Sequence, residues 1–224
     1  MSALVLAGGA STRLGEDKPA ALVGGVPLLD RVLGALSNDA DVVVVGPARR
    51  TARPVRFVLE QPPGGGPVAA IAAGLAQLAA ERCFLLAADL PFLTAAALVQ
   101  LTTAFWRDAR ETAPVGPGDV DPVDRVDRVD RVDRVSGVDR VSGVDRISAV
   151  DGVVAVDEAG REQPLLSYWA TEALRRALPP VPGGARLHEM LSRLSYATVR
   201  LTGERPPHYD CDTAEALERA RAWV

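Results

Sequence analysis

The sequence predicts an α/β protein in which a mostly parallel sheet is covered by helices. Three observations carry this expectation. Short apolar runs alternate with helical stretches along most of the chain. The first run, Ala3-Leu4-Val5-Leu6, passes straight into a glycine-rich loop that ends at Lys18. A later run, Cys83-Phe84-Leu85-Leu86-Ala87, is apolar without a break, as a parallel strand buried on both faces must be.

Taken in order, further strands are expected at Val42–Val45, closed by Gly46-Pro47, and at Arg56–Leu59. Pro62-Pro63-Gly64-Gly65-Gly66-Pro67 then breaks the chain, and an alanine-rich helix follows from about Val68 to Ala80. After the Cys83–Ala87 strand, Thr94 is the expected N-cap of a helix reaching about Trp106. Gly152–Val156 and Leu165–Trp169 read as two more strands. Helices are expected near Thr171–Leu178, Ala185–Leu194 and Thr213–Trp223.

One stretch breaks this pattern. From Asp119 to about Asp151 the chain repeats Val-Asp-Arg every three residues, then Val-Ser-Gly-Val-Asp-Arg every six. A period of three matches neither the two of a strand nor the 3.6 of a helix, so no single apolar face forms. The charges cancel and aromatics are absent. Residues 119–151 therefore read as a flexible insertion within one domain spanning residues 1–224, rather than as a repeat-built solenoid.

Composition narrows the functional class. A chain of 224 residues that is 48% hydrophobic can build a substantial core. A net charge of −4 argues against general nucleic-acid binding. No apolar run is long enough to span a membrane, and no basic segment precedes the first strand, so no signal peptide is expected. Cys83 and Cys211 make no disulfide framework and should be reduced and buried; with His188 and His208 they match no familiar zinc spacing. A cytoplasmic enzyme is expected.

The first loop reads Ala7-Gly8-Gly9-Ala10-Ser11-Thr12-Arg13-Leu14-Gly15-Glu16-Asp17-Lys18. Glycines let several backbone N–H groups point at one anion, and cationic side chains can close over it. The spacing is neither that of a dinucleotide loop nor that of a Walker loop, and Pro19 follows the lysine. A plain surface turn explains Gly8-Gly9 but not Arg13, Asp17 and Lys18 together. Asp89, at the end of an apolar strand, is either a turn residue or a hard ligand suited to Mg²⁺. Before the last helix, Asp212 and Thr213 are the two capping candidates.

From Leu6 to Lys18 the chain resembles the L-A-G-G-x-S-x-R-x-G-x-D-K signature of the molybdenum cofactor guanylyltransferases, the MobA-like branch of the nucleotidyltransferase fold. Leu6, Ala7, Gly8, Gly9, Ser11, Arg13, Gly15, Asp17 and Lys18 match. Leu14 stands where methionine is common, a swap that conserves volume. Related cytidylyltransferases tend to carry L-A-A-G, so Gly9 favours guanine. Asp89-Leu90-Pro91 resembles the family's metal-binding D-x-P. Asp210-Cys211-Asp212-Thr213 resembles its [DN]-x-[DN]-T-P-E element, with Ala214 in place of proline. Glu60–Pro67 resembles an E-D-x-x-x-G-P loop in which Gln61 replaces an aspartate. Gln163-Pro164-Leu165 and Gly183-Gly184-Ala185-Arg186 resemble segments near the pterin. The resemblance runs on both sides of the repeat and skips it.

The resemblance implies a three-layer, Rossmann-like nucleotidyltransferase fold, with a mostly parallel central sheet and helices on both faces. It implies transfer of GMP from GTP to molybdopterin with release of pyrophosphate and with Mg²⁺ as cofactor. Arg13, Lys18 and Asp89 would be catalytic. Leu6, Ala7, Gly8, Gly9, Ser11, Lys18, Gln61, Gly66 and Asp89 would hold the nucleotide, Asp89 and Asp212 the metal, and Arg186 the acceptor. GTP, molybdopterin and molybdoenzyme apoproteins are the implied partners, with no nucleic acid and no membrane. The alternatives are a cytidylyltransferase or sugar-phosphate nucleotidyltransferase, and a nucleotide-binding accessory protein that delivers the cofactor without chemistry. Intact Arg13, Lys18 and Asp89 favour an enzyme.

Overall fold

The computed structural model describes residues 1–8, 17–111 and 150–224. In chain order the strands are β1 (Ser2–Leu6), β2 (Leu22–Val23), β3 (Val26–Pro27), β4 (Asp41–Val45), β5 (Arg56–Val58), β6 (Arg82–Ala87), β7 (Gly152–Val156), β8 (Glu162–Ala170) and β9 (Tyr196–Arg200). The α-helices are α1 (Leu28–Ala35), α2 (Gly66–Leu75), α3 (Ala95–Glu111), α4 (Thr171–Ala177), α5 (Leu187–Leu191) and α6 (Ala214–Ala222). Seven strands form one sheet in the order β5-β4-β1-β6-β8-β7-β9, and β2 pairs with β3 in a small hairpin. β8 runs antiparallel to β6 and β7, while the other neighbours in the large sheet are parallel. The expected mostly parallel sheet is therefore present.

The alternation of side chains along the strands builds the layers. Ala3 and Val5, Val42 and Val44, and Phe84 and Leu86 belong to a core with α1 and α3. Leu4 and Leu6, Val43 and Val45, and Cys83 and Leu85 belong to a second core with α2, α4 and α5. Every residue of β1 is buried. Helix α2 comes so close to the sheet that a Cβ on Gly74 would lie 2.0 Å from Leu4 Cδ1. A third cluster joins the β2–β3 hairpin to the last helix through Val23, Leu28, Phe92, Cys211 and Leu217. Phe92, Tyr209 and Trp223 stack beside it at centroid distances of 4.9–5.8 Å.

Some elements differ from expectation. Helix α2 starts at Gly66 and stops at Leu75, and α5 spans five residues rather than the expected run from Ala185 to Leu194. Helix α1, the hairpin and the edge strand β9 are not among the expected elements, although α1 carries a local signal: Leu28, Leu29, Val32 and Leu33 recur at helical spacing and form its buried face. Thr94 and Thr213 do cap their helices, accepting from Ala97 N at 3.2 Å and Ala216 N at 3.1 Å. Both cysteines are unpaired and buried. No helix among the described residues is long and apolar enough to cross a membrane.

Residues 119–149 of the repeat lie outside the described residues, but its last two positions belong to the fold. Val150 packs against the α1/α3 core. Asp151 accepts from Ser195 N at 2.9 Å and Arg176 Nη2 at 3.1 Å, and its carbonyl receives Ala170 N at 2.8 Å. The expected boundary at residue 151 therefore moves back, because these bonds start β7. Deleting residues 119–149 should preserve the fold. Loop-closure entropy varies slowly with length, so stability should change by about 1 kcal/mol. Thermal melting of the full and shortened chains checks this, and an unfolded deletion would show that the repeat supports the domain.

Candidate active site

Parallel strands β1, β4, β5 and β6 present their C-terminal ends along one edge of the sheet, where open α/β sheets bind ligands. A cleft of about 810 Å³ lies there. Leu6, Ala7 and Gly8 form its floor after β1. Pro47 and Arg49 line it after β4, Leu59 and Glu60 after β5, and Ala87, Ala88 and Asp89 after β6. Gly66 and Pro67, the first turn of α2, open onto the same space. Gly66 has φ +85°, a conformation that side-chain-bearing residues rarely adopt. The helix N-terminus beside it favours negative charge.

Lys18 stands at the centre. It is the only lysine among the chain's 25 lysines and arginines. Its ammonium pairs with Asp89 Oδ2 and Asp212 Oδ1 at once. Burial alone would lower its pKa, but Asp89 and Asp212 outweigh that and hold it above the ordinary lysine value. The local fold explains the meeting. Asp17 O accepts from Ala20 N at 2.8 Å, turning the chain at Lys18-Pro19. β6 delivers Asp89 from the sheet. Cys211 is fully buried in the hairpin cluster and donates its N–H to Asp89 O at 3.2 Å, which brings Asp212 alongside. Because Thr94 and Thr213 serve as the helix caps, Asp89 and Asp212 are left to the cleft.

The charge pattern suits a cation. Asp89 is 13% exposed, and its Oδ1 is buried without a hydrogen-bond partner among the described residues. The neighbouring Asp210 carboxyl is pushed up to about 6, first by partial burial and then by Asp212 and Asp89. No group of three or more His, Cys, Asp or Glu forms a metal cage among the described residues. Two carboxylates in an open cleft are nevertheless what Mg²⁺ uses when substrate phosphates and water complete its shell. Neither cysteine offers a nucleophile. Burial pushes the Cys83 thiol up to about 11, and burial followed by Asp89 pushes Cys211 to about 12.

The structure thus brings Leu6, Ala7, Gly8, Lys18, Gly66, Asp89 and Asp212 together. Gly9, Ser11 and Arg13 lie outside the described residues. Gln61 is exposed and does not line the cleft; Glu60 does, with its Oε1 accepting from Gly64 N at 3.2 Å. Arg186 also stays outside: it is 74% exposed and pairs with Glu189 on its own helix. From its segment, Gly184 N reaches Gly65 O at 2.8 Å, so the backbone supports the Pro/Gly loop instead. On the β8 side, the register shifts between Val154 and Ala155, leaving Pro164–Leu166 in a bulge closed by Ser167 Oγ to Pro164 O at 2.6 Å. Pro164 lacks an N–H for the ladder, and the bulge carries Leu165 to the cleft. Sequence reasoning missed Arg49 and Glu60. Their signal was their place just after strands whose ends form the ligand edge.

Residues 3–199 match the MobA-like NTP transferase domain. The chain belongs to this family. It is 36% identical over 121 residues to a probable molybdenum cofactor guanylyltransferase of Synechococcus elongatus, covering 50% of this chain and 60% of that protein. It is 38% identical over 112 residues to a molybdenum cofactor guanylyltransferase of a Bradyrhizobium species, covering 45% of this chain and 53% of the other. The matched part is thus under two thirds of either relative's length. Among solved structures, molybdopterin-guanine dinucleotide biosynthesis protein A from Archaeoglobus fulgidus superposes with TM-score 0.64 at 20% identity, over 100% of this chain and 98% of that one. The 2-C-methyl-D-erythritol 4-phosphate cytidylyltransferase of Thermus thermophilus gives 0.58 at 14% identity, over 99% and 97%. Both structural likenesses establish the MobA-like domain's fold alone.

Proposed function

We propose that this MobA-like protein transfers GMP from GTP to molybdopterin and releases pyrophosphate. The observation that carries the reading is the chain's one lysine, seated with Asp89 and Asp212 at the phosphate-loop edge of the sheet. The names of the relatives support the choice of GTP and molybdopterin. The buried Asp89 Oδ1, without a hydrogen-bond partner among the described residues, supports a divalent ion, which Asp89 and Asp212 would hold. When bound, Mg²⁺ would supply charge neutralisation at the α-phosphate.

The chain's own residues do the rest. Backbone N–H groups from Gly8 onward and the N-terminus of α2 cradle the phosphates. Lys18, with Arg13, neutralises charge that grows on the leaving pyrophosphate. The acceptor phosphate attacks the α-phosphorus in line, so one P–O bond forms as another breaks and no enzyme nucleophile is needed. Catalysis is positioning and electrostatics. Leu165, which the bulge of β8 carries to the cleft, would meet the acceptor there. The reading keeps the protein in the cytoplasm, in line with two unpaired cysteines. Molybdoenzyme apoproteins then receive the product.

Glu60 supports guanine. A carboxylate accepts two adjacent N–H donors, and guanine presents N1–H and N2–H side by side, whereas adenine and cytosine each place an acceptor next to their amino group. Calorimetric titration with Mg²⁺ should therefore show GTP binding more tightly than CTP or ATP, and Glu60→Gln should narrow the gap. Tighter binding of CTP would move the protein to the cytidylyl class.

A further inference from the structure

We infer that Arg49 is a positioning residue for Lys18, acting through Asp17. The inference rests on the reading of Lys18 as a phosphate ligand. Arg49 comes from the loop after β4, and that loop is pinned on several sides. Gly46 N donates to Val58 O at 2.8 Å, and Ala52 N donates to Asp30 Oδ1 of α1 at 2.9 Å. Arg53 donates to the carbonyls of Ser37 and Asn38 at 2.7 and 2.8 Å. The Arg49 side chain is folded back on its loop, with Nε donating to Pro47 O at 3.3 Å, and is only 15% exposed. Its Nη1 donates to both carboxylate oxygens of Asp17, at 2.7 and 2.6 Å.

Asp17 immediately precedes Lys18, and the two side chains are anchored on different parts of the site. Asp17 is tied to the wall after β4. Lys18 is tied to Asp89 after β6 and to Asp212 before α6. The 3₁₀ turn Lys18–Ala20 locks the chain on the C-terminal side. Arg49 therefore fixes the remaining freedom of the Lys18 backbone. Asp17 itself is 62% exposed, and an exposed pair alone is a weak stabiliser of the fold. Its contribution lies in placement, where a small misalignment of a charged group is costly to transfer.

The test compares Arg49→Met, Asp17→Asn, the double variant and the exchanged pair Asp17→Arg/Arg49→Asp in the full chain. Two readouts are used. The first is KM for GTP against kcat. The second is the acylation rate of Lys18 by an amine-specific reagent without substrate, read by peptide mass; no other lysine exists to confuse it. Each single variant should raise KM by about tenfold with a smaller change in kcat, and should raise Lys18 labelling severalfold. The double variant should match either single, because the two residues act as one unit. The exchanged pair should recover part of both losses. Unchanged labelling in the single variants would overturn the inference. So would a kinetic loss for Arg49→Met far exceeding that of Asp17→Asn and adding to it, since Arg49 would then touch substrate directly. A wild-type protein that turns over no GTP would instead count against the proposed function, while the labelling readout still decides the role of Arg49.

Discussion

Lys18→Ala should keep the fold and lower turnover by about 10²–10⁴-fold, the range of other electrostatic stabilisers of transition-state charge. Lys18 belongs to none of the three core clusters, and its bonds are made to cleft carboxylates. Its removal leaves Asp89, Asp210 and Asp212 without their shared counter-ion, so a modest fall in melting temperature is expected alongside the large kinetic loss. A divalent ion should bind those carboxylates more readily in the variant when nucleotide is absent. Lys18→Arg should rescue only in part, because a planar guanidinium cannot take the place of a compact ammonium held between two carboxylates. Circular dichroism, melting and initial rates separate these effects. A variant with near wild-type turnover would remove Lys18 from the chemistry.

Asp89→Asn should raise the Mg²⁺ concentration needed for half-maximal rate by at least about tenfold, since even outer-shell partners of a metal change affinity by that much. The amide keeps the shape of the carboxyl and loses its charge. The Asp89 backbone carbonyl still accepts from Cys211 N, so the approach of the C-terminal segment should survive the substitution. Thr94 caps α3, so Asp89 is not needed for that helix. The readout is initial rate against Mg²⁺ concentration, with melting as the control for folding. A curve that does not move would make Asp89 a turn residue only.

The central elements of this site were legible because they are local. An apolar strand that runs on into Gly8, and another that runs on into Asp89, declare both the sheet and its ligand edge. Thr94 and Thr213 declare their helices through one side-chain bond each. What could not be read depends on long-range meetings. Asp212 reaches Lys18 across 194 positions because Cys211 is buried against the β2–β3 hairpin, and no short window contains that fact. Asp17 finds Arg49 across 32 positions only because β1 and β4 are neighbours in the sheet. The choice of Glu60 over Gln61 turned on which way one side chain faced after β5, and a loop rich in proline and glycine gives no period from which to read it. Arg186 looked like an acceptor ligand by resemblance, yet the chain turns it away and presents the backbone of Gly184 to the nucleotide loop.

The most direct measurement of the central claim is pyrophosphate release, followed with each nucleoside triphosphate in turn, with and without molybdopterin, in the presence of Mg²⁺. The account predicts release with GTP that depends on molybdopterin, is lost on chelation of the metal, and falls sharply in Lys18→Ala and Asp89→Asn. Nucleotide binding without any release under these conditions would contradict it and leave a carrier that holds the nucleotide without transferring it.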